Sequence, residues 1–360
     1  MSLTVAVTGL HAGESPQPGC GVIRSLRRVY PDLTVVGLVY DVLESGVYAP
    51  GLADAIYAIP YPSAGAAPLL ARLEHVLQRH PLEVLIPTLD VEILPLIKLE
   101  RELAGRGIRM LLPTRESYEA RQKTALTELA RKADCETPKT VAVSDVAGVR
   151  RAAKELGCPL IIKGAFYGGY RENSEDGLVQ RFHAISAQWG LPVLVQRVVT
   201  GSEFNVIAVG DGEGGVSGFC AVRKTIVSDK GKGFGGIVVR DEPLNATALR
   251  LVRALRWRGP LELEFIQDQA TGVYQLIEIN PRFPAWVDFP STFGHNLPEL
   301  VVERLRTGAC RTLHPYPVGK FFIRHCVDLT CDVEDMGRLS ALGALERRPA
   351  AAGAAPEDAS

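Results

Sequence analysis

The sequence predicts an α/β N-terminal domain with a parallel sheet, followed by an α+β domain. Two observations carry this. In residues 1–113, short apolar runs alternate with amphipathic helical stretches: LTVAVTG, then GVIRSLRRVY, then LTVVGLVYD. Strands separated by helices pair in parallel, because each crossover returns the chain to the same end of the sheet. Beyond about residue 114, glycine-punctuated strands follow one another directly, as in EFNVIAVGDGEGGVSGFCAVRK, the pattern of antiparallel hairpins. The expected divisions are 1–113 and 114–330, the second splitting near 195 into lobes 114–195 and 196–330. Residues 345–360 are expected to be a disordered tail, since RRPAAAGAAPEDAS has no apolar face to bury.

In the first domain, Leu3–Gly9 reads as a buried strand entering the glycine-rich HAGESPQPGCG. Leu33–Asp41 is a second strand, PLLARLEHVLQRH a helix, and Glu83–Asp90 a strand ending in Thr88 and Asp90. EILPLIKLERELAGRG and IRMLLPT complete a further helix and strand. The Gly9–Gly21 loop invites a dinucleotide reading, but Arg24 stands where the third glycine of G-x-G-x-x-G would fall. A plain tight turn is favoured over a phosphate cradle, which also disfavours a Rossmann-type dehydrogenase.

In the second domain, ESYEARQKTALTELARKADC reads as one helix, and TPKTVAV as a turn and strand. DVAGVRRAAKELG is a helix with Gly157 at its C-cap, and CPLIIKGAFYGGY a strand entering a glycine-rich loop. Pro192–Val199 is an apolar strand, and LELEFIQDQATGVYQLIEI a hairpin around QDQATG.

Composition narrows the function classes. Forty basic and forty-one acidic residues leave a net charge of -1, which gives no global pull toward nucleic acid or an anionic membrane. No run approaches the about 18 apolar residues of a membrane span. The seven cysteines are scattered, without C-x-x-C or zinc spacing. A reduced, cytoplasmic protein with mostly buried thiols is expected, with neither a nucleic-acid nor a membrane partner.

The most informative stretch is QLIEINPRFP, residues 275–284. Strand alternation places Leu276, Glu278 and Asn280 on one face and Ile277 and Ile279 on the other. Closing the hairpin through Asp268–Gly272 sets Gln267 opposite Val273 and brings Glu264 onto the face of Glu278. Two carboxylates on one partly buried face require a cation or protons. Together with an amide oxygen they form a hard donor set suited to Mg²⁺; the alternative is a solvent-facing strand edge. Arg282 suits a transferring phosphoryl group or acyl phosphate, or a structural ion pair.

Upstream, Lys163 ends PLIIK, where it can reach phosphate oxygens or snorkel to the surface. Lys123 lies on a predicted helix, where most lysines face water. PVLVQRVVTGSEFN offers a strand end for a base edge, and Glu203 either accepts from a ribose or is an exposed turn residue. Arg223 and Lys224 precede TIVSDKGKGFGG, a lid over phosphates or an exposed loop.

Taken in order, these pieces resemble the ATP-grasp superfamily, in its carbamoyl-phosphate-synthase-like branch. RQKTALTELARKADCETPKT, CPLIIKGAFYGG, VLVQRVVTGSEFNV, LELEF and LIEINPRF carry the resemblance. IPTLDVEILPL and STFGHNLPELVVERLRTG extend it over about residues 3–310. The resemblance implies a Rossmann-like pre-ATP-grasp domain before the ATP-grasp domain. It implies that Lys123 and Lys163 contact ATP phosphates, that Gln196, Arg197 and Val198 border the adenine, and that Glu203 holds the ribose. Arg223 and Lys224 join the nucleotide set. Glu264, Glu278 and Asn280 would carry two Mg²⁺ ions, and Arg282 with Lys163 would face the acyl phosphate. Two departures stand out: GAFYGGYREN is less glycine-dense than in many relatives, and Gln196-Arg197 replaces an acid and a lysine.

The implied activity is ATP-dependent ligation of a carboxylate, through an acyl phosphate, to an amine, with amino-acid or peptide-like small molecules as substrates. Alternatives are bicarbonate activation, as in carboxylases and carbamoyl-phosphate synthesis, and a non-catalytic ATP sensor. Similar ligases are commonly homodimers.

Overall fold

The computed structural model describes residues 3–164, 169–228, 233–309, 311–313 and 315–347. The chain forms two compact units. One comprises residues 1–112, 281–316 and 323 onward; the other comprises 113–280 and 317–322.

In the first unit, the early apolar runs become β1 (Thr4–Thr8), β2 (Thr34–Val39), β3 (Ala55–Ala58) and β4 (Val84–Ile86). They pair in parallel in the order β3-β2-β1-β4, and the central β1 is buried at every position. The short β3, within DAIYAIP, escaped the sequence reading because four residues give little periodicity. The expected strand Glu83–Asp90 stops at Ile86, because Pro87 has no N–H to donate. Asp90 instead opens the helix Asp90–Gly105. The expected strand IRMLLPT reduces to one parallel bridge between Val84 and Arg109.

The loop after β1 spends its backbone donors internally. Leu10 N donates to Glu44 Oε2 at 2.6 Å, Ala12 N to Ser45 Oγ at 2.8 Å, and Gly19 N to Gly9 O at 2.9 Å. A Cβ at Gly19 would lie 2.2 Å from the Thr8 carbonyl, so only glycine permits this close return. The tight-turn reading fits these contacts.

The expected second domain is interrupted at Asn280. Residues 281–316 belong to the first unit, where Asn296 Nδ2 donates to Ser25 O at 2.7 Å and Arg28 pairs with Asp288 at 3.0 Å. The expected tail also needs correction. Ala344–Glu346 pairs antiparallel with β3, Leu345 is buried, and Arg347 N donates to Asp54 O. A buried leucine and a row of ladder hydrogen bonds hold this segment. Residues 348–360 lie outside the described residues.

The second unit holds two antiparallel sheets. The smaller contains β5 (Thr140–Val143), β6 (Leu160–Gly164), β7 (Gly169–Glu172) and β8 (Val193–Arg197), in the order β5-β8-β6-β7. Helices Val146–Leu156 and Glu175–Trp189 pack on it around Val149, Ile162, Phe182 and Val195. Asp145 and Ser174 cap their N-termini, and Gly157, at φ 73°, stands at the expected C-cap.

The larger sheet contains β9 (Gly201–Asp211), β10 (Val216–Val227), β11 (Gly233–Val239), β12 (Arg258–Asp268), β13 (Tyr274–Asn280) and β14 (Phe321–Ile323), in the order β13-β12-β9-β10-β11-β14. Helix Glu242–Leu255 covers one face, where Trp257, Leu251, Leu263 and Phe265 are buried; each such side chain contributes roughly 1.5–3 kcal/mol. The opposite face of β9, β12 and β13 carries Asn205, Glu262, Glu264, Glu278 and Asn280.

The predicted helix over residues 116–135 is broken into Arg115–Ala120 and Leu126–Lys132. Lys123 therefore sits in a turn. Of the described cysteines, only Cys20 and Cys220 are buried, so the expectation of mostly buried thiols fails. Among the described residues, no helix is long and apolar enough to cross a membrane.

Candidate nucleotide and metal site

Strand register assembles the polar face. Asn205 on β9, Glu264 on β12 and Glu278 on β13 stand directly across from one another in one row. In the next row, Glu262 stands opposite Asn280. Phe204, Leu263, Phe265 and Ile279 alternate onto the buried side.

The route to this face differs from simple alternation. Gln267 lies opposite Tyr274 rather than Val273, because Asp268 N closes the hairpin on Val273 O at 2.9 Å. The ladder then slips once more between Glu264 and Phe265, leaving one extra residue in β13. This bulge reverses the parity of the strand. Leu276 consequently joins Ile279 in the core instead of sharing a face with Glu278 and Asn280. Without the bulge, a buried Leu276 would force Glu278 toward the core and Ile279 out of it.

Hydrogen bonds lock the row. Asn280 Nδ2 donates to Glu262 Oε2 at 3.0 Å and to Glu264 Oε1 at 2.9 Å. Asn205 Nδ2 donates to Glu262 Oε1 at 2.5 Å. Lys224 Nζ bridges Glu203 at 2.8 Å and Glu264 at 3.0 Å, and Lys123 Nζ lies 3.2 Å from Glu278 Oε1. The turn that interrupts the predicted helix is what carries Lys123.

Lys163, next to last in β6, is almost wholly buried, with Nζ donating to Gln196 Oε1 at 3.0 Å; Gln196 Nε2 in turn donates to Thr140 Oγ1 at 2.8 Å. Burial lowers the Lys163 pKa to about 8; the Lys123 ammonium pushes the same way, and the Glu278 carboxylate opposes both. For Lys224, burial works against the charge, but Glu264 and Glu203 outweigh it and raise the pKa.

The structure thus brings together Lys123, Glu264, Glu278 and Asn280, with Lys224 and Glu203 beside them and Lys163 close enough to sense Lys123 and Glu278. It separates others. Arg223 stands opposite Phe204, a core residue, so alternation puts it on the other sheet face from Lys224. Arg197 is exposed at the end of β8, and Val198 follows it outside the strand. Arg282 belongs to the first unit, where its Nε donates to Asp90 Oδ1 at 3.0 Å. Residues 165–168 of the expected glycine-rich loop and 229–232 of the segment read as a lid or an exposed loop lie outside the described residues.

Sequence reasoning missed Glu262 and Asn205. The signal was present: LELEF repeats glutamate at spacing two, so Glu262 shares the face of Glu264. Asn205 required the β9–β12 pairing, which the sequence did not supply.

Three oxygen-donor side chains, with Glu262 behind them, match the donor preference of Mg²⁺. Among the described residues, no three His, Cys, Asp or Glu side chains already form a metal cage. Ammonium groups of Lys123 and Lys224 engage the oxygens of Glu278 and Glu264. The face neutralises its carboxylates with cations, as any occupant must.

The fold of the chain is similar to that of ATP-grasp enzymes of known structure. The biotin carboxylase of Campylobacter jejuni matches its structure with a TM-score of 0.68 at 15% identity, over 88% of this chain and 74% of that one. In sequence, the carbamoyl phosphate synthase large chain of Methanobrevibacter smithii is 29% identical over 161 residues, which is 40% of this chain and 15% of that protein. The D-alanine–D-alanine ligase of Pelodictyon phaeoclathratiforme is 30% identical over 141 residues, 34% of this chain and 39% of that one. The chain thus spans less than half the length of either curated relative. No protein-family model matches the sequence.

Proposed function

We propose that this protein is an ATP-dependent ligase that activates a carboxylate as an acyl phosphate and couples it to an amine. One observation carries the reading: Glu264, Glu278 and Asn280 share a face bordered by the ammonium groups of Lys123 and Lys224, with Lys163 nearby. Hard oxygen donors beside several cations are what a metal-bound polyphosphate requires. The relatedness to a carbamoyl phosphate synthase and a D-alanine–D-alanine ligase supports it.

A carboxylate is a poor acyl donor because its leaving group would be oxide. Attack of a carboxylate oxygen on the γ-phosphorus, with cleavage of its bond to the ADP oxygen, gives an acyl phosphate. An amine then attacks the acyl carbon, phosphate leaves, and the amine loses a proton. Lys163 and Lys123 hold the phosphates, Glu203 accepts from the ribose, and the backbone of Gln196–Val198 borders the base. The Gln196 side chain orients Lys163 instead of reading the base. Arg282 supplies a planar cation to the activated acid. Glu264, Glu278 and Asn280 would hold Mg²⁺, which when bound screens charge on the phosphoryl oxygens. The first unit, in this reading, is a Rossmann-like pre-ATP-grasp domain that selects the acid and amine.

The test is phosphate release from Mg·ATP across a panel of acids and amines, supplied singly and in pairs. Release only with a matched pair supports ligation. Release with bicarbonate alone would favour the second reading, bicarbonate activation, toward which the likeness to carbamoyl phosphate synthase points. Tight ATP binding without turnover across the panel would leave a sensor.

A further inference from the structure

Behind the row that faces the nucleotide lies a pair with no role in the scheme above. Glu262 is a buried carboxylate on the polar face, and both of its oxygens are taken by side-chain amides: Oε1 by Asn205 Nδ2 at 2.5 Å, Oε2 by Asn280 Nδ2 at 3.0 Å. A carboxylate only accepts, so both amides must turn their NH₂ groups toward Glu262. Their carbonyl oxygens are thereby directed elsewhere. For Asn205 the consequence is unusual, because its Oδ1 is buried and has no hydrogen-bond partner among the described residues. A buried acceptor left unpaired keeps its full desolvation penalty and calls for an occupant. Asn205 is buried and stands directly opposite Glu264, in one row with Glu278. An electropositive occupant matches an amide oxygen in that row.

We propose that Glu262 is a positioning residue of the metal site and Asn205 a further oxygen ligand, Glu262 holding the amides of Asn205 and Asn280 so that their carbonyl oxygens are presented to the cation. This rests on the reading of the polar face as a Mg²⁺–nucleotide site and deepens it. Glu264 and Glu278 remain the charged ligands. Glu262 acts through the amides, as groups behind a coordination sphere commonly do. A purely structural knot would contribute to stability and leave metal dependence unchanged.

The experiment uses the full chain and measures ADP binding by calorimetry, with Mg²⁺ varied and with chelator. Wild type should bind ADP more tightly as Mg²⁺ rises. Glu262→Gln should raise the Mg²⁺ concentration for half-maximal enhancement about 10–100-fold, leaving ADP affinity in chelator unchanged. Asn205→Ala should move the same midpoint in the same direction. The double variant should add little to the larger single effect, because the two act as one unit. Melting curves establish which variants are folded; if one is not, the other alone decides. A folded variant with a wild-type Mg²⁺ midpoint overturns the role assigned to that residue while leaving the nucleotide site intact. Wild-type ADP binding indifferent to Mg²⁺ overturns the metal reading itself, and the positioning role with it. Direct Mn²⁺ binding by electron paramagnetic resonance supplies a readout independent of nucleotide and turnover: Glu262→Gln should weaken it, and equal Mn²⁺ affinity in wild type and variant would sink the proposal.

Discussion

Lys163 donates to Gln196 at 3.0 Å from an almost fully buried position next to last in β6. Burial sets its pKa at about 8 in the folded protein against 10.5 for an ordinary lysine. Below pH 8 both states carry the proton, and the folded state bears the desolvation cost. Between about 8 and 10.5 the unfolded chain binds more protons, so this residue makes stability rise with pH. Lys163→Met should therefore be more stable than wild type at neutral pH, with the gap closing across that window. Urea denaturation at several pH values measures it. A gap independent of pH would refute the assignment.

Glu278 faces Glu264 across the ladder and lies 3.2 Å from Lys123. Glu278→Gln should abolish turnover and the Mg²⁺ enhancement of ADP binding. Its effect on stability should stay near the 0–1 kcal/mol typical of a partly exposed ion pair, roughly. Calorimetry with a melting curve reads both. Full activity in the variant would remove Glu278 from the site.

Arg282 is anchored to Asp90 within the first unit. Arg282→Lys keeps the charge but loses the planar fork, so turnover should fall by about 10²–10³ with ADP affinity unchanged. Steady-state phosphate release and ADP calorimetry separate the two effects. Wild-type turnover would reduce Arg282 to a structural partner of Asp90.

Leu345 is buried where Ala344–Glu346 pairs with β3. Leu345→Ala should cost about 2–3 kcal/mol, at the low end for core truncation because the strand is short and at a sheet edge. Denaturant midpoints test this. A change under roughly 0.5 kcal/mol, the range of ordinary surface substitutions, would restore the tail reading.

Legibility varied with the range of the interaction concerned. The hairpins β9–β10 and β12–β13, the Gly157 cap and the tight turn after β1 follow from neighbours in sequence, and the structure contains them. The single helix across Lys123 did not survive, since periodicity cannot show that a turn there lets a lysine meet Glu278. Arg223 and Lys224 looked equivalent as adjacent cations. Strand parity sends one to each face of the sheet.

The residue types of the site were written in the sequence: LELEF and LIEINPRF contain both carboxylates of the proposed metal site, the amide and Glu262, and alternation alone pairs Glu262 with Glu264. Local periodicity also determined the parallel and antiparallel halves. Tertiary structure alone decided the register. One extra residue in β13 turns Leu276 inward while keeping Glu278 opposite Glu264, and β9 supplies Asn205 from more than fifty residues away. A period of two transmits facing only until a bulge reverses it. Where that reversal falls is set by the packing of the core beneath the sheet, a property of the assembled strands and of no single segment.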